Sequence, residues 1–246
     1  MMEGNGMNQY EVQERSPQLL ETLLGVWEDA VRTDDAVSPL KREGGAEMFW
    51  DNVAWVYDIF ANFINRQANQ ALCDTVEKLI APTDEVLECA CGTGLLSGVI
   101  AKKCKRLIAT DFSENMLKRA EKKYGACRNV QFEQGNILAL RFPAECFDVV
   151  VAANVIHLLD EPDRALQEME RVCRRGGRLI VPTYMNQTEK GTTNSVSGAI
   201  GKAGADFKRE FTLDSYRQFF AAAGYQNVSY TLCSGRIPCA VAVIPI

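Results

Sequence analysis

The sequence predicts an α/β protein: a doubly wound, mostly parallel seven-stranded sheet, with helices on both faces and one antiparallel strand near the C-terminus. Three observations predict it. From residue 85 onward, short apolar runs of strand character alternate with amphipathic helical runs. The last two apolar runs follow each other with no helix between, so one of that pair should run antiparallel. The first strand enters a tight loop of small residues that opens straight into a helix. In open α/β sheets, ligands bind beyond the carboxyl ends of the strands, where such loops lie.

The elements follow in order. Residues 69–80 read as an amphipathic helix that Pro82 helps to end. Strands are expected at residues 85–90, 106–110, 130–133, 147–153, 178–184, 228–233 and 239–244. Helices are expected at 95–103, 113–124, 162–173 and 213–223, with Ser113 as an N-cap for the second of these. Arg174-Arg175-Gly176-Gly177 reads as the turn into the fifth strand.

The N-terminal part reads differently. Residues 1–45 are expected to form an extension, and residues 46–246 the main domain. Tyr10 to Arg15 could be a short strand, and Ser16-Pro17 is a good helix start. Leu19, Leu20, Leu23, Leu24, Trp27 and Val31 then recur at helical spacing. That stripe must be covered, either by the main domain or by a second subunit in a homodimer. From residue 46, Phe49, Trp50, Trp55 and Phe60 make an aromatic-rich stretch.

Composition excludes several classes. A chain of 246 residues suits one large domain. Its formal charge of −5 argues against broad nucleic-acid binding. No apolar run approaches the ~20 residues that a bilayer requires. The polar start lacks the apolar segment of a signal peptide, so a cytoplasmic protein is expected. Nine cysteines, an odd number without CxxC spacing, and a single histidine argue for packed free thiols rather than a zinc site.

The chemistry should lie in Val86-Leu87-Glu88-Cys89-Ala90-Cys91-Gly92-Thr93-Gly94-Leu95. Gly92 and Gly94 permit close backbone approach and unusual dihedrals. The helix start beyond them offers N–H groups to a polar ligand. A dinucleotide loop would need a third glycine where Ser97 stands, and Gly98 is one residue too late. A nicotinamide-dependent oxidoreductase is therefore the less favoured reading. Asp111 ends the second strand, where its acceptor-only carboxylate could take both hydroxyls of a ribose.

The loop resembles motif I of class I S-adenosylmethionine-dependent methyltransferases, written acidic-x-Gly-x-Gly-x-Gly. Ala90 stands at the first glycine, a change that a negative φ would tolerate. The resemblance implies a Rossmann-like fold and S-adenosylmethionine as cofactor. It implies cofactor contacts from Glu88, Ala90, Cys91, Gly92, Thr93 and Gly94. Asp111 would hold the ribose, with Phe112 and Met116 beside the adenine. Gly135-Asn136-Ile137 stands where the family usually has Gly-Asp, and the Asn136 carbonyl could accept from the adenine amine. Asn154, past the fourth strand, would lie beside the methionine part of the cofactor. Val53-Ala54-Trp55-Val56-Tyr57-Asp58 is similar to a segment of the ubiquinone/menaquinone-biosynthesis group, and the resemblance makes Tyr57 a candidate to cover the cofactor.

The implied reaction is methyl transfer to a small-molecule acceptor, quinone-precursor-like or another metabolite. A non-catalytic S-adenosylmethionine-binding module is the other alternative. His157 is the candidate general base, with an ordinary pKa suited to neutral pH. Met185 to Lys208, polar and rich in Gly, Ser and Thr, is a candidate acceptor loop.

Overall fold

The computed structural model describes residues 65–185 and 208–246. The N-terminal extension, Tyr57, the aromatic stretch and most of the candidate acceptor loop lie outside these residues. Among the described residues, five helices flank the sheet: α1 (Arg66–Lys78), α2 (Ser97–Lys103), α3 (Glu114–Tyr124), α4 (Pro162–Val172) and α5 (Leu213–Ala222). The strands are β1 (Glu85–Cys89), β2 (Arg106–Asp111), β3 (Val130–Gln134), β4 (Phe147–Ala152), β5 (Cys173–Tyr184), β6 (Ser229–Cys233) and β7 (Cys239–Pro245).

The seven strands form one sheet in the order β3-β2-β1-β4-β5-β7-β6. β1 to β5 are parallel, and β7 runs antiparallel to both β5 and β6. The expected doubly wound fold is therefore present, and β7 is the reversed strand. The order doubles back at β1, with β2 on one side and β4 on the other. That switch opens the crevice in which ligands of such folds sit.

Strand alternation sorts side chains into two core layers. Leu87 and Cys89 of β1, with Val150 and Ala152 of β4, pack with Leu166, Met169, Tyr216 and Phe220 of α4 and α5. Val86, Val149, Val151 and Ile180 face the other way, onto Leu72 and Val76 of α1 and Ile100 of α2. Glu88 occupies the next inward position after Val86 and is 2% exposed. A carboxyl thus stands where the pattern calls for an apolar side chain.

β5 begins at Cys173 rather than at Arg178. Phe147 pairs with Cys173 but Val149 pairs with Arg178, so the expected turn is instead an irregularity within the strand. Gly176 at φ +80° permits it.

Helix α1 is fixed at both ends by side-chain hydrogen bonds. Arg178 donates to Leu79 O and pairs with Asp84 at 2.6 Å. At the other end, Asn65 donates to Ile237 O at 3.0 Å and accepts from Ile237 N at 3.1 Å. That use of its amide explains why Asn65 does not cap its own helix. Gly235 makes this docking possible, because a Cβ there would stand 2.5 Å from Ala68 Cβ and 2.8 Å from Ala68 N. Gly235→Ala should therefore lower stability by about 2 kcal/mol, in the range of overpacked contacts. Urea unfolding checks this, and an unchanged midpoint would refute the tight contact.

Candidate functional site

The loops after β1, β2 and β3 are joined by hydrogen bonds at the carboxyl edge of the sheet. Cys91 N–H donates to Thr110 O at 2.9 Å, extending the β1–β2 pairing past the last strand residue. Gly92 N–H donates to Asp111 Oδ2 at 2.7 Å, and Ser113 N–H donates to Oδ1 at 2.9 Å. Gly135 N–H donates to Asp111 O at 3.0 Å. The Gln134 side chain donates to Phe112 O at 2.9 Å. The glycine loop and the strand-end carboxylate expected to share a ligand are thus in direct contact. Ser113 caps α3 by accepting from Met116 N–H, which leaves Asp111 on the loop side.

The loop backbone is left-handed at three places: Ala90 at φ +52°, Gly92 at +56° and Gly94 at +87°. Ala90 thus lacks the negative φ at which an alanine is tolerated without strain. Ala90 N–H and C=O are carried into this turn by β1, and the side chain accepts a conformation that costs an L-residue roughly 1–2 kcal/mol. Ala90→Gly relieves it and loses part of the gain to unfolded-chain entropy. The variant should gain about 0.5–1 kcal/mol, read by chemical denaturation, and a destabilised variant would contradict the positive φ. A Cβ on Gly92 would meet nothing within 4 Å, so this face of the loop is open.

Glu88 lies beneath the loop. Ser97, the first residue of α2, donates to its Oε2 at 2.6 Å. Burial, helped by the negative charge of Asp111, pushes the Glu88 carboxyl up to about 8, against the pull of the Ser97 bond. Burial likewise pushes the Cys89 and Cys91 thiols up, so these neighbours are uncharged. Lys123 reaches over from α3 to donate to Thr93 O at 3.0 Å.

Among the other expected residues, Met116 and Ile137 are buried and Phe112 is 44% exposed beside Asp111. Asn136 is exposed, and its carbonyl already accepts from Leu138 N–H at 2.9 Å. Gly135 is required for packing, since a Cβ would lie 3.0 Å from Thr110 Cβ. Asn154 takes a left-handed φ of +53°, with its N–H donating to Pro182 O. Its Oδ1 is buried and has no hydrogen-bond partner. His157 lies farther along, in a 3₁₀ turn (Ile156–Leu158), and is 3% exposed. Burial pushes its pKa down to about 4, so the neutral-pH titration expected of it is overturned.

Several contributors escaped sequence reading. Ser97 counted only as a missing glycine, yet it holds Glu88. Tyr124 covers Gly94 and Gly98, and a Cβ on Gly98 would lie 2.6 Å from its ring. Arg209 N–H donates to His157 O and its guanidinium to Leu159 O, which secures the turn bearing His157. No local signal marks Tyr124 or Arg209, because both act across elements distant in sequence.

Fold and site together define an α/β domain with a candidate ligand site at the switch between β2, β1 and β4. Comparison with known proteins is specific about its kind. Residues 87–181 match the family model of a methyltransferase domain. Demethylmenaquinone methyltransferase of Thermobifida fusca is 35% identical over 145 residues, covering 55% of this chain and 59% of that protein. Phosphatidylethanolamine N-methyltransferase of Cereibacter sphaeroides is 34% identical over 120 residues, covering 48% and 58%. The chain spans about three fifths of the length of the curated relatives it matches. A solved structure from Thermotoga maritima, described as an S-adenosylmethionine-dependent methyltransferase and possible histamine N-methyltransferase, superposes with TM-score 0.62. It has 20% identity and covers 81% of this chain and 98% of that one. Residues 87–181 are thus similar to a methyltransferase domain, and quinone-biosynthesis methyltransferases are among the proteins this chain resembles. These relatives are methyltransferases, not nicotinamide-dependent oxidoreductases. No helix among the described residues is long and apolar enough to cross a membrane.

Proposed function

We propose that the protein transfers the methyl group of S-adenosylmethionine to a small-molecule acceptor of quinone-precursor type. The observation that carries the reading is the bond from Gly92 N–H to the Asp111 carboxylate. It joins the two features that a nucleoside needs: an open glycine turn and a strand-end acceptor for hydroxyls. The acceptor class follows the demethylmenaquinone methyltransferases, among which 31% identity over 152 residues is reached in Renibacterium salmoninarum.

The bound cofactor supplies a methyl group already activated on a positively charged sulfur. The chain's own residues then have to orient and exclude. Asp111 offers acceptor capacity to the ribose, and Phe112 offers an exposed ring for the base. Asn154 Oδ1, buried and without a partner, offers a carbonyl to the amino group of the methionine part. Two carboxyl groups, Glu88 and Asp111, suit a cationic ligand. Holding the acceptor in line with the methyl group provides the rate, so positioning outweighs acid–base chemistry.

His157 stays unprotonated above about pH 5, so it serves as a neutral acceptor of modest basicity. His157→Gln should slow turnover by roughly 10²-fold, the low end for a general base, with cofactor affinity unchanged. Full activity in that variant would remove its role.

The reading is tested by the melting temperature with saturating S-adenosylmethionine and, separately, NAD. A rise with the first alone is expected. S-adenosylhomocysteine formation is then followed with a demethylated naphthoquinol and with ethanolamine-phospholipid vesicles. Turnover of the quinol supports the acceptor class. Turnover of the phospholipid alone replaces it with an amine, and an unmoved melting temperature removes the cofactor.

A further inference from the structure

We propose that Glu88 is a charge-sensing residue: it keeps its proton in the unliganded protein and releases it to solvent when a cationic cofactor fills the loop. The inference rests on the reading above that the loop binds S-adenosylmethionine. It concerns a buried residue whose described bond goes to the protein.

The placement of Glu88 is the argument. Alternation along β1 turns its side chain into the layer of α1 and α2. Its single side-chain partner is the Ser97 hydroxyl at 2.6 Å, which can donate to a carboxylate or accept from a carboxylic acid. The titratable groups facing it are Asp111 from β2, Cys73 from α1, Cys89 and Cys91 from β1 and its loop, and Cys104 beyond α2. None of these is a cation. Their thiols are held neutral by burial, Cys73 and Cys104 each at about 11. Lys123, the cation on the loop, is engaged with Thr93 O. Among the described residues, Glu88 therefore has a neighbouring negative charge and no compensating positive one. Burial holds its carboxyl near 8.

A positive charge entering the loop above Glu88 reverses this balance. An opposite charge within about 4–6 Å typically lowers a carboxyl by 1–3 units, enough to ionise Glu88 near neutrality. Each binding event then moves one proton from Glu88 to the buffer. By linkage, affinity for the cationic cofactor rises with pH up to the point where free Glu88 is already ionised.

Titration calorimetry tests this. S-adenosylmethionine is titrated into the full chain near neutral pH in phosphate and in Tris, whose protonation enthalpies differ widely. The expected result is release of more than about half a proton per site in wild type and close to none in Glu88→Gln. Ser97→Ala removes a donor that favours the charged form, so proton release should persist with its midpoint moved to higher pH. Equal binding heats in the two buffers for wild type overturn the inference. So does a Gln variant that still releases the wild-type number of protons. No binding heat in either buffer instead overturns the cofactor reading, and this inference with it.

Discussion

Asp111→Ala is expected to lose about 3 kcal/mol of stability and to abolish the melting-temperature shift given by S-adenosylmethionine. Two backbone donors depend on this one side chain, Gly92 N–H at 2.7 Å and Ser113 N–H at 2.9 Å. Asp111 is 9% exposed, so the orphaned groups have little access to water. Each buried donor left unmade costs about 1–3 kcal/mol, and the two lie on different loops, so neither relaxation rescues the other. The second loss is functional. Without the bond to Gly92 the turn is no longer held against β2, and the ribose acceptor is gone. Asp111→Asn separates the two effects. It keeps the shape and one acceptor oxygen but turns an NH₂ toward one of the N–H donors. Its stability should fall between wild type and Ala, while cofactor binding should still fail for want of the charge-assisted acceptor. Urea unfolding and thermal shift measure the two quantities. An Ala variant within 0.5 kcal/mol of wild type, as for an ordinary surface substitution, would show that Asp111 does not hold the loops together.

Most of the fold is legible because burial imposes period. Strands β1, β2 and β4 are covered on both faces, and each reads as a short continuous apolar run bounded by turn residues. Even β6, with Leu232 half exposed, reads as a strand from its apolar-rich run at residues 228–233. Misreadings cluster at ends. The start of β5 was placed at Arg178, because Arg174 to Gly177 carries turn chemistry; pairing of Cys173 with Phe147 overrides it. The predicted start of α2 at residue 95 fell two residues early, since Leu95 and Leu96 extend the apolar pattern into the loop.

The local geometry of the candidate site is legible in part. Spacing located the loop, Asp111 and the Ser113 cap, because each has a local signature. It could not show that Ala90 is left-handed, because the sequence alone leaves open which turn residue takes the positive φ. The misjudgement at His157 has another cause. Its ordinary pKa near neutrality applies in water, and nothing within the chain's local pattern says that the 3₁₀ turn is packed under residues from beyond position 208. For Glu88 the pattern did identify an acidic residue, but not that its side chain points inward at Ser97.

Glu88 and His157 together predict how stability should vary with pH in the cofactor-free protein. The folded Glu88 pKa, about 8, lies above its ordinary value of 4.5. Between these values the folded state binds more protons than the unfolded chain, so stability falls as pH rises through that window. His157 has the opposite sign. Its folded pKa of about 4 lies below 6.5, so the unfolded chain takes up the extra proton and stability falls as pH drops through that window. The two effects oppose each other in mildly acid solution, and only the Glu88 loss continues above about pH 6.5. Glu88→Gln isolates it, because every other group, the buried thiols included, is common to both proteins. The amide keeps an oxygen for the Ser97 hydroxyl and has no charge to desolvate. Relative to wild type, the variant should gain about 3 kcal/mol on going from about pH 5.5 to about pH 8. Denaturant midpoints across that range measure the difference. A constant offset between the two curves would mean that Glu88 is already ionised in the folded protein at about pH 5.5, its desolvation beneath the loop relieved by water reaching the carboxyl.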